Sequence, residues 1–125
     1  LALVEGFFAD LGCRTFQTSA EKHDKAMARI QNMNFITSLA YFALLAGQDD
    51  LLPFLTPSFR RRQHAARKML TEDACLFSGL FEANAHSHEA VRQYRQMLNL
   101  AAAGDIDLLC ERAGWWWQEE DGKEA

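Results

Sequence analysis

Basic side chains recur along one face of a predicted helix in the segment SFRRRQHAARKML. The spacing i, i+4, i+7 and i+8 brings four side chains together on an α-helix: Arg60, His64, Arg67 and Lys68. An arginine forms two parallel hydrogen bonds with a carboxylate or a phosphate, so this face is suited to clamping an anion. A solvated surface is the alternative interpretation, because runs of charge usually face water.

A second predicted helix is almost entirely apolar but carries one stripe of mostly polar side chains. At about 100° per residue, the members of this polar stripe fall within about 80° of one another: His23, Met27, Gln31, Asn34 and Ser38. Buried polar groups require hydrogen-bond partners. The polar stripe is therefore predicted either to join a satisfied side-chain network or to line a pocket.

The helices that carry these residues have recognisable ends. Thr18 and Glu21 fit a capping box, which predicts a helix that runs to Ala46 and ends at Gly47. Because all its other faces are apolar, we expect this helix to be central and buried. The dipeptide Thr56-Pro57 predicts the start of the basic helix, with threonine as the N-cap and proline in the first turn.

The rest of the chain also predicts helices. Thr71, followed by Glu72 and Asp73, is expected to cap a third helix, which breaks or bends between Asn84 and His88. A further helix then runs to Gly104, and the last one starts at Asp105. We therefore predict a mainly α protein, a bundle of about five to six helices.

The first residues follow a different pattern. Residues 1–11 have helical spacing, Gly12 suits a helix C-cap, and residues 13–18 alternate as a strand does. A lone strand leaves backbone groups unpaired, so it should join a sheet elsewhere. We interpret 1–18 as one αβ unit, the end of an N-terminal nucleotide-binding domain, and 19–125 as a helical domain for dimerisation and substrate binding.

Composition excludes several classes of function. The formal net charge of −4 argues against nucleic-acid binding, which needs an excess of Lys and Arg. The three cysteines are widely spaced and predict neither a disulfide framework nor a metal site, so we expect reduced thiols and a cytoplasmic protein. The apolar run at 35–46 is too short to span a membrane.

Three consecutive tryptophans, 115–117, and the apolar central helix predict a homodimer with a large hydrophobic interface.

The segment HDKAMARIQ resembles the prephenate dehydrogenase family, which includes the arogenate and cyclohexadienyl dehydrogenases. The similarity is carried by His23-Asp24, Met27-Ala28 and Ile30-Gln31, and the order of predicted elements extends it over nearly the whole chain. The resemblance implies an NAD- or NADP-dependent oxidative decarboxylation of prephenate to 4-hydroxyphenylpyruvate, a step of tyrosine biosynthesis. It also implies that the catalytic histidine and most of the cofactor site lie upstream of Leu1, so that this fragment alone is inactive.

The resemblance also implies a substrate site. His23 falls on the His-Asp position of the family, at the substrate pocket. The arginine that grips the substrate in the family is replaced by Lys68, and Phe35 stands where relatives often have a histidine. Either Arg67 or Arg60 grips the dicarboxylate instead, or the substrate is held differently. The expected substrate-binding residues are His23, Gln31, Arg60, His64, Arg67 and Lys68. The alternative function is a stand-alone helical adaptor without catalytic activity.

Overall fold

The computed structural model describes residues 19–118, and these residues form a helical bundle. Six α-helices follow one another: α1 (Ala20–Met27), α2 (Met33–Leu45), α3 (Pro57–Arg67), α4 (Ala74–Ala83), α5 (Ser87–Ala102) and α6 (Ile106–Ala113). This confirms the predicted mainly α architecture. The expected αβ unit at 1–18 lies outside the described residues.

Two short π-helical turns interrupt the helical runs. The first π turn (Ala28–Asn32) joins α1 to α2, and the second π turn (Lys68–Glu72) follows α3 directly. In a π turn the backbone hydrogen bonds span five residues, as in the bond from the Asp73 amide to the Lys68 carbonyl, 2.9 Å. Each π turn adds a residue to the helical repeat, so the side chains that follow it are rotated relative to those before it.

Helix α1 begins one residue later than predicted. The N-cap is Ser19, whose hydroxyl accepts a hydrogen bond from the Lys22 amide at 3.1 Å, whereas Thr18 lies outside the described residues. After α2 the chain turns at Gly47, which has a φ of 76°, a conformation that glycine adopts without strain. The predicted helix end at Gly47 is therefore confirmed.

The start of α3 follows the sequence prediction, and the start of α4 does not. The Thr56 hydroxyl accepts a hydrogen bond from the Phe59 amide at 3.1 Å, and Pro57 occupies the first helical position. Thr71 was predicted to cap the next helix, but its hydroxyl donates to the Arg67 carbonyl at 2.6 Å and stays within the second π turn. Helix α4 instead follows Asp73, which makes no side-chain capping bond.

The later part of the bundle turns twice. Helix α4 ends at Ala83 and α5 begins at Ser87, which confirms the predicted break after Asn84. Gly104, with a φ of 86°, separates α5 from α6. Helix α6 packs against α5 and leads into a 3-10 turn, Gly114–Trp117.

The first π turn lies at the centre of the packing. It contacts α4 and α5, while the second π turn contacts α2. The Phe35 ring, 2% exposed, stacks on Phe77 with ring centroids 5.7 Å apart. The small side chains of Ala28 and Ala90 are also buried, which lets their helices approach closely.

The long helix is less buried than predicted. We expected it to be covered all round, yet Ile30 is 61% exposed and Leu44 is 71% exposed in the single chain. No helix among residues 19–118 has the length and hydropathy needed to cross a membrane.

Candidate functional site

A groove between α2 and α3 gathers most of the basic face. It has a volume of about 720 Å³. One wall is Phe42 of α2. The remaining lining residues come from α3 and the second π turn: Arg60, Gln63, His64, Ala66, Arg67, Leu70 and Thr71. The anion groove, as we call this site, thus combines two guanidinium groups and an imidazole with an apolar wall.

In the part of the chain that the structure describes, the cationic groups of the anion groove have no acidic partner. The ion pairs within residues 19–118 join His23 to Asp24, Lys25 to Glu21, Lys68 to Asp73 and Arg92 to Glu89. Neither Arg60 nor Arg67 takes part in one, and no carboxylate is among the residues that line the groove. An incoming anion would therefore meet these guanidinium groups without first displacing a protein carboxylate.

Aromatic contacts hold α3 in place against α2. Phe42 and Phe59 pack edge to face with ring centroids 5.7 Å apart, and the Tyr41 ring also lies beside Phe59. The Arg62 guanidinium lies over the Tyr41 ring, 3.8 Å from its centroid, which is a cation–π geometry. Arg62 is thereby engaged in packing, so the neighbouring basic residues rather than this one remain available to a ligand.

A second cavity shares part of this wall. It has a volume of about 550 Å³ and is lined by Leu55, Pro57, Arg60, Arg61 and His64. Arg60 and His64 thus line both cavities, and each cavity has a further arginine, Arg67 in the anion groove and Arg61 in the second cavity. A ligand with two separated acidic groups could therefore contact an arginine in each cavity.

The structure separates Lys68 from the other predicted basic residues. The Lys68 ammonium group lies 3.6 Å from the Asp73 carboxylate, and this lysine is not among the residues that line the anion groove. The ion pair spans the second π turn, which begins at Lys68. Of the four predicted basic residues, the groove therefore collects Arg60, His64 and Arg67.

His23 and Gln31 do not line the anion groove. His23 is exposed in α1, with its Nδ1 3.7 Å from the Asp24 carboxylate. Gln31 is half-buried within the first π turn. Of the polar stripe, Asn34 contacts the second π turn, where its amide donates to the Met69 sulfur at 3.8 Å. The binding roles of His23 and Gln31 remain predictions.

A buried polar network lies where the polar stripe was expected. Asn32 Nδ2 donates to the Ser87 hydroxyl at 3.2 Å and to the Leu80 carbonyl at 3.5 Å. The Ser87 hydroxyl in turn donates to the Phe81 carbonyl at 2.6 Å. This Asn32–Ser87 network ties the first π turn to the end of α4 and the start of α5, and sequence periodicity did not predict it.

Sequence spacing could have predicted two further residues of the anion groove. Gln63 and Thr71 lie four residues on either side of Arg67, so both belong to the helical face already recognised from its charges. Among residues 19–118 no three His, Cys, Asp or Glu side chains are grouped so that they could hold a metal ion.

Comparison of this chain with family models, with curated proteins and with solved structures finds no significant match.

Proposed function

We propose that this chain is the C-terminal, substrate-binding part of a prephenate dehydrogenase. The complete enzyme would oxidise prephenate with NAD or NADP, release carbon dioxide and form 4-hydroxyphenylpyruvate for tyrosine biosynthesis. The observation that carries the proposal is the anion groove, where Arg60 and Arg67 line an apolar-walled cavity and pair with no carboxylate of the described residues. The resemblance of the His23-Asp24 segment to that family supports it.

The anion groove suits a ring that bears two carboxylates. Arg60 and Arg67 stand seven residues apart, about two helical turns, so each can bind a different carboxylate or both can share one. Phe42 and Leu70 offer an apolar surface on which a six-membered ring can lie. Under this proposal Arg60 and Arg67 bind the substrate carboxylates in place of Lys68, because Lys68 is paired with Asp73.

The proposed chemistry divides between two domains. The nicotinamide carries the hydride, and a nucleotide-binding domain preceding this chain would bind it. His23, exposed near the start of α1, would face the junction between the domains and reach the substrate from that side. The roles we propose for the present chain are to bind the substrate carboxylates and to orient the ring.

Kinetics of the complete protein test the assignment of the groove. Arg60→Ala and Arg67→Ala should each raise KM for prephenate while leaving kcat nearly unchanged, because these contacts hold substrate and transition state equally, at a cost of about 2 to 4 kcal/mol. Lys68→Ala should change KM by less than about threefold, because the Lys68 ammonium group pairs with Asp73 and does not line the anion groove.

Arg95→Ala provides the matched control, because Arg95 is an exposed arginine of α5 outside the anion groove. It removes the same charge from the protein and should leave KM unchanged. The assignment is wrong if Arg60→Ala and Arg67→Ala stay within about twofold of wild type, far below the tenfold change expected for 1.4 kcal/mol.

We further propose that the chain forms a homodimer. Large apolar side chains remain exposed in the single chain on α2, on α4, in a 3-10 turn at Asp49–Phe54 and in the 3-10 turn at Gly114–Trp117, among them Leu44, Leu76, Phe54 and Trp117. Large apolar patches on a protein surface often mark an interaction site, and a second copy of the same chain can cover such side chains symmetrically. The apolar helical run at 27–46, whose Ile30 and Leu44 side chains the other described residues leave exposed, is the element that a second copy would bury.

Light scattering at micromolar concentration should give twice the monomer mass of 14.2 kDa. Leu44→Glu and Trp117→Glu should shift the protein towards the monomer, because each places a charge in the proposed interface. Gln96→Glu introduces the same group at an exposed polar position of α5 and should leave the dimer intact. A monomer mass for the wild-type chain would contradict the proposal.

The second candidate function is a helical adaptor. The observation that favours it is the exposure of the tryptophans in the last 3-10 turn, 48% for Trp115, 65% for Trp116 and 81% for Trp117. The sequence that precedes Leu1 in the complete protein discriminates between the two candidates. A strand followed by GxGxxG and a helix would support the dehydrogenase, because that motif binds the pyrophosphate of a dinucleotide.

A further inference from the structure

Asn84, in the bend between α4 and α5, connects two parts of the chain that are far apart in sequence. Its side-chain Nδ2 donates to the backbone carbonyl of Asp24 at 2.8 Å. Its side-chain Oδ1 accepts a hydrogen bond from the His86 amide at 2.9 Å. One amide side chain therefore shapes the bend before α5 and holds α1 against that bend.

Helix α1 continues without a break through the first π turn into α2, and the bond from Asn84 adds a restraint from outside that helix. None of the residues of α1 is buried, so side-chain packing restrains its orientation only weakly. Its own ion pairs, His23 with Asp24 and Lys25 with Glu21, are local and exposed, and such pairs contribute little. The bond from Asn84 to the Asp24 carbonyl reaches α1 from a residue 60 positions away in the sequence.

We infer that Asn84 is a positioning residue for His23. This inference rests on the proposed function, in which His23 reaches the substrate from the domain junction. The carbonyl that Asn84 holds belongs to Asp24, the residue after His23, and the Asp24 carboxylate lies 3.7 Å from His23 Nδ1. The hydrogen bond thus restrains the helical turn that carries His23. Through this bond, the bend between α4 and α5 determines the position of the histidine.

Two substitutions separate the two hydrogen bonds of Asn84. Asn84→Asp keeps an oxygen acceptor for the His86 amide but replaces the donor that faces the Asp24 carbonyl with a second oxygen, so it breaks only the bond to α1. Asn84→Ala removes both bonds. If positioning of His23 is the role, both variants should reduce activity similarly, although Asn84→Ala also loses the bend contact.

The test is a double-mutant cycle in the full-length enzyme, with prephenate and NAD or NADP. Asn84→Asp should lower kcat/KM by about tenfold, which corresponds to about 1.4 kcal/mol. In a His23→Asn background the same substitution should lower kcat/KM by less than about twofold, because the group that it positions is already gone. Circular dichroism should show that every variant is folded at the assay temperature.

Asn99→Asp is the matched control, since Asn99 is an exposed asparagine of α5. It makes the same chemical change away from α1 and should leave kcat/KM unchanged. The inference is overturned if Asn84→Asp lowers kcat/KM by the same factor in the wild-type and in the His23→Asn background. It is also overturned if His23→Asn alone has wild-type kinetics. Wild-type enzyme that does not turn over prephenate overturns the proposed function itself, and the inference falls with it.

Discussion

The two π turns of this bundle have the same backbone conformation but lie in opposite surroundings. In the first, Asn32 is 2% exposed and its side chain bonds to Ser87, which is fully buried, so this π turn is part of the core. In the second, the Thr71 hydroxyl bonds only to the carbonyl one turn earlier, and the turn borders the anion groove. The first π turn joins helices, and the second shapes a surface.

The difference shows what a π turn does for its neighbours. An extra residue in the helical repeat rotates the following side chains, and the surroundings decide what that rotation accomplishes. At the first π turn it brings Asn32 to Ser87, whereas at the second it places Thr71 and Leu70 beside Arg67 on the groove wall. A substitution should therefore affect mainly stability at the first turn and mainly ligand binding at the second.

The largest expected effect is that of Asn32→Ala. It removes the donor to the Ser87 hydroxyl and to the Leu80 carbonyl, and the buried Ser87 oxygen loses this donor, so we expect a loss of about 2 to 3 kcal/mol in the free energy of unfolding. Thr71→Ala, in the second π turn, should cost about 1 kcal/mol or less, because its carbonyl partner stays accessible to water. Urea unfolding at one fixed protein concentration measures both. Equal losses would remove the distinction between the two turns.

Ser87→Ala should have an intermediate effect on stability. The hydroxyl is buried, donates to the Phe81 carbonyl and accepts from Asn32, so we expect a loss of about 1 to 2 kcal/mol. Combining it with Asn32→Ala should cost less than the sum of the single losses by at least about 0.5 kcal/mol, because both belong to one network. Strict additivity in urea unfolding would show that the two side chains act independently.

Lys68→Ala should have the smallest effect. Its ammonium group pairs with Asp73 across the second π turn but is mostly exposed, so removal should change the free energy of unfolding by at most about 1 kcal/mol. The difference from wild type should shrink further in about 1 M NaCl, where the Debye length falls to about 3 Å. A loss comparable with that of Asn32→Ala would mean that the second π turn is also a structural centre.

Several helix ends were predictable from sequence because they depend on local chemistry, although the cap predicted at Thr71 was wrong. Thr56-Pro57 starts α3 as expected, and Gly47 and Gly104 take the left-handed conformation at turns. The helical class and the break after Asn84 follow from the same local rules. Residues 119–125, like 1–18, lie outside the described residues, so the domain boundary at residue 18 stays a prediction.

The π turns were not predictable from periodicity, and the polar stripe shows why. The stripe was drawn at a constant 100° per residue from His23 to Ser38, which assumes that the helix is α throughout. The first π turn lies within that span and changes the phase of the side chains that follow, so Asn34 is exposed, whereas Asn32, which the stripe did not include, points inward. The charges of α3 precede the second π turn, and their common face was recognised for that reason.

All three tryptophans of the protein lie in one 3-10 turn at its C-terminal end. Intrinsic tryptophan emission therefore reports on a single place in the molecule, at a distance in sequence from the Asn32–Ser87 network. These indoles are exposed in the single chain, so unfolding of a monomer would shift their emission little, whereas burial by a second copy would move it to shorter wavelength. Fluorescence of this protein is thus a probe of assembly, and far-ultraviolet dichroism is the probe of folding.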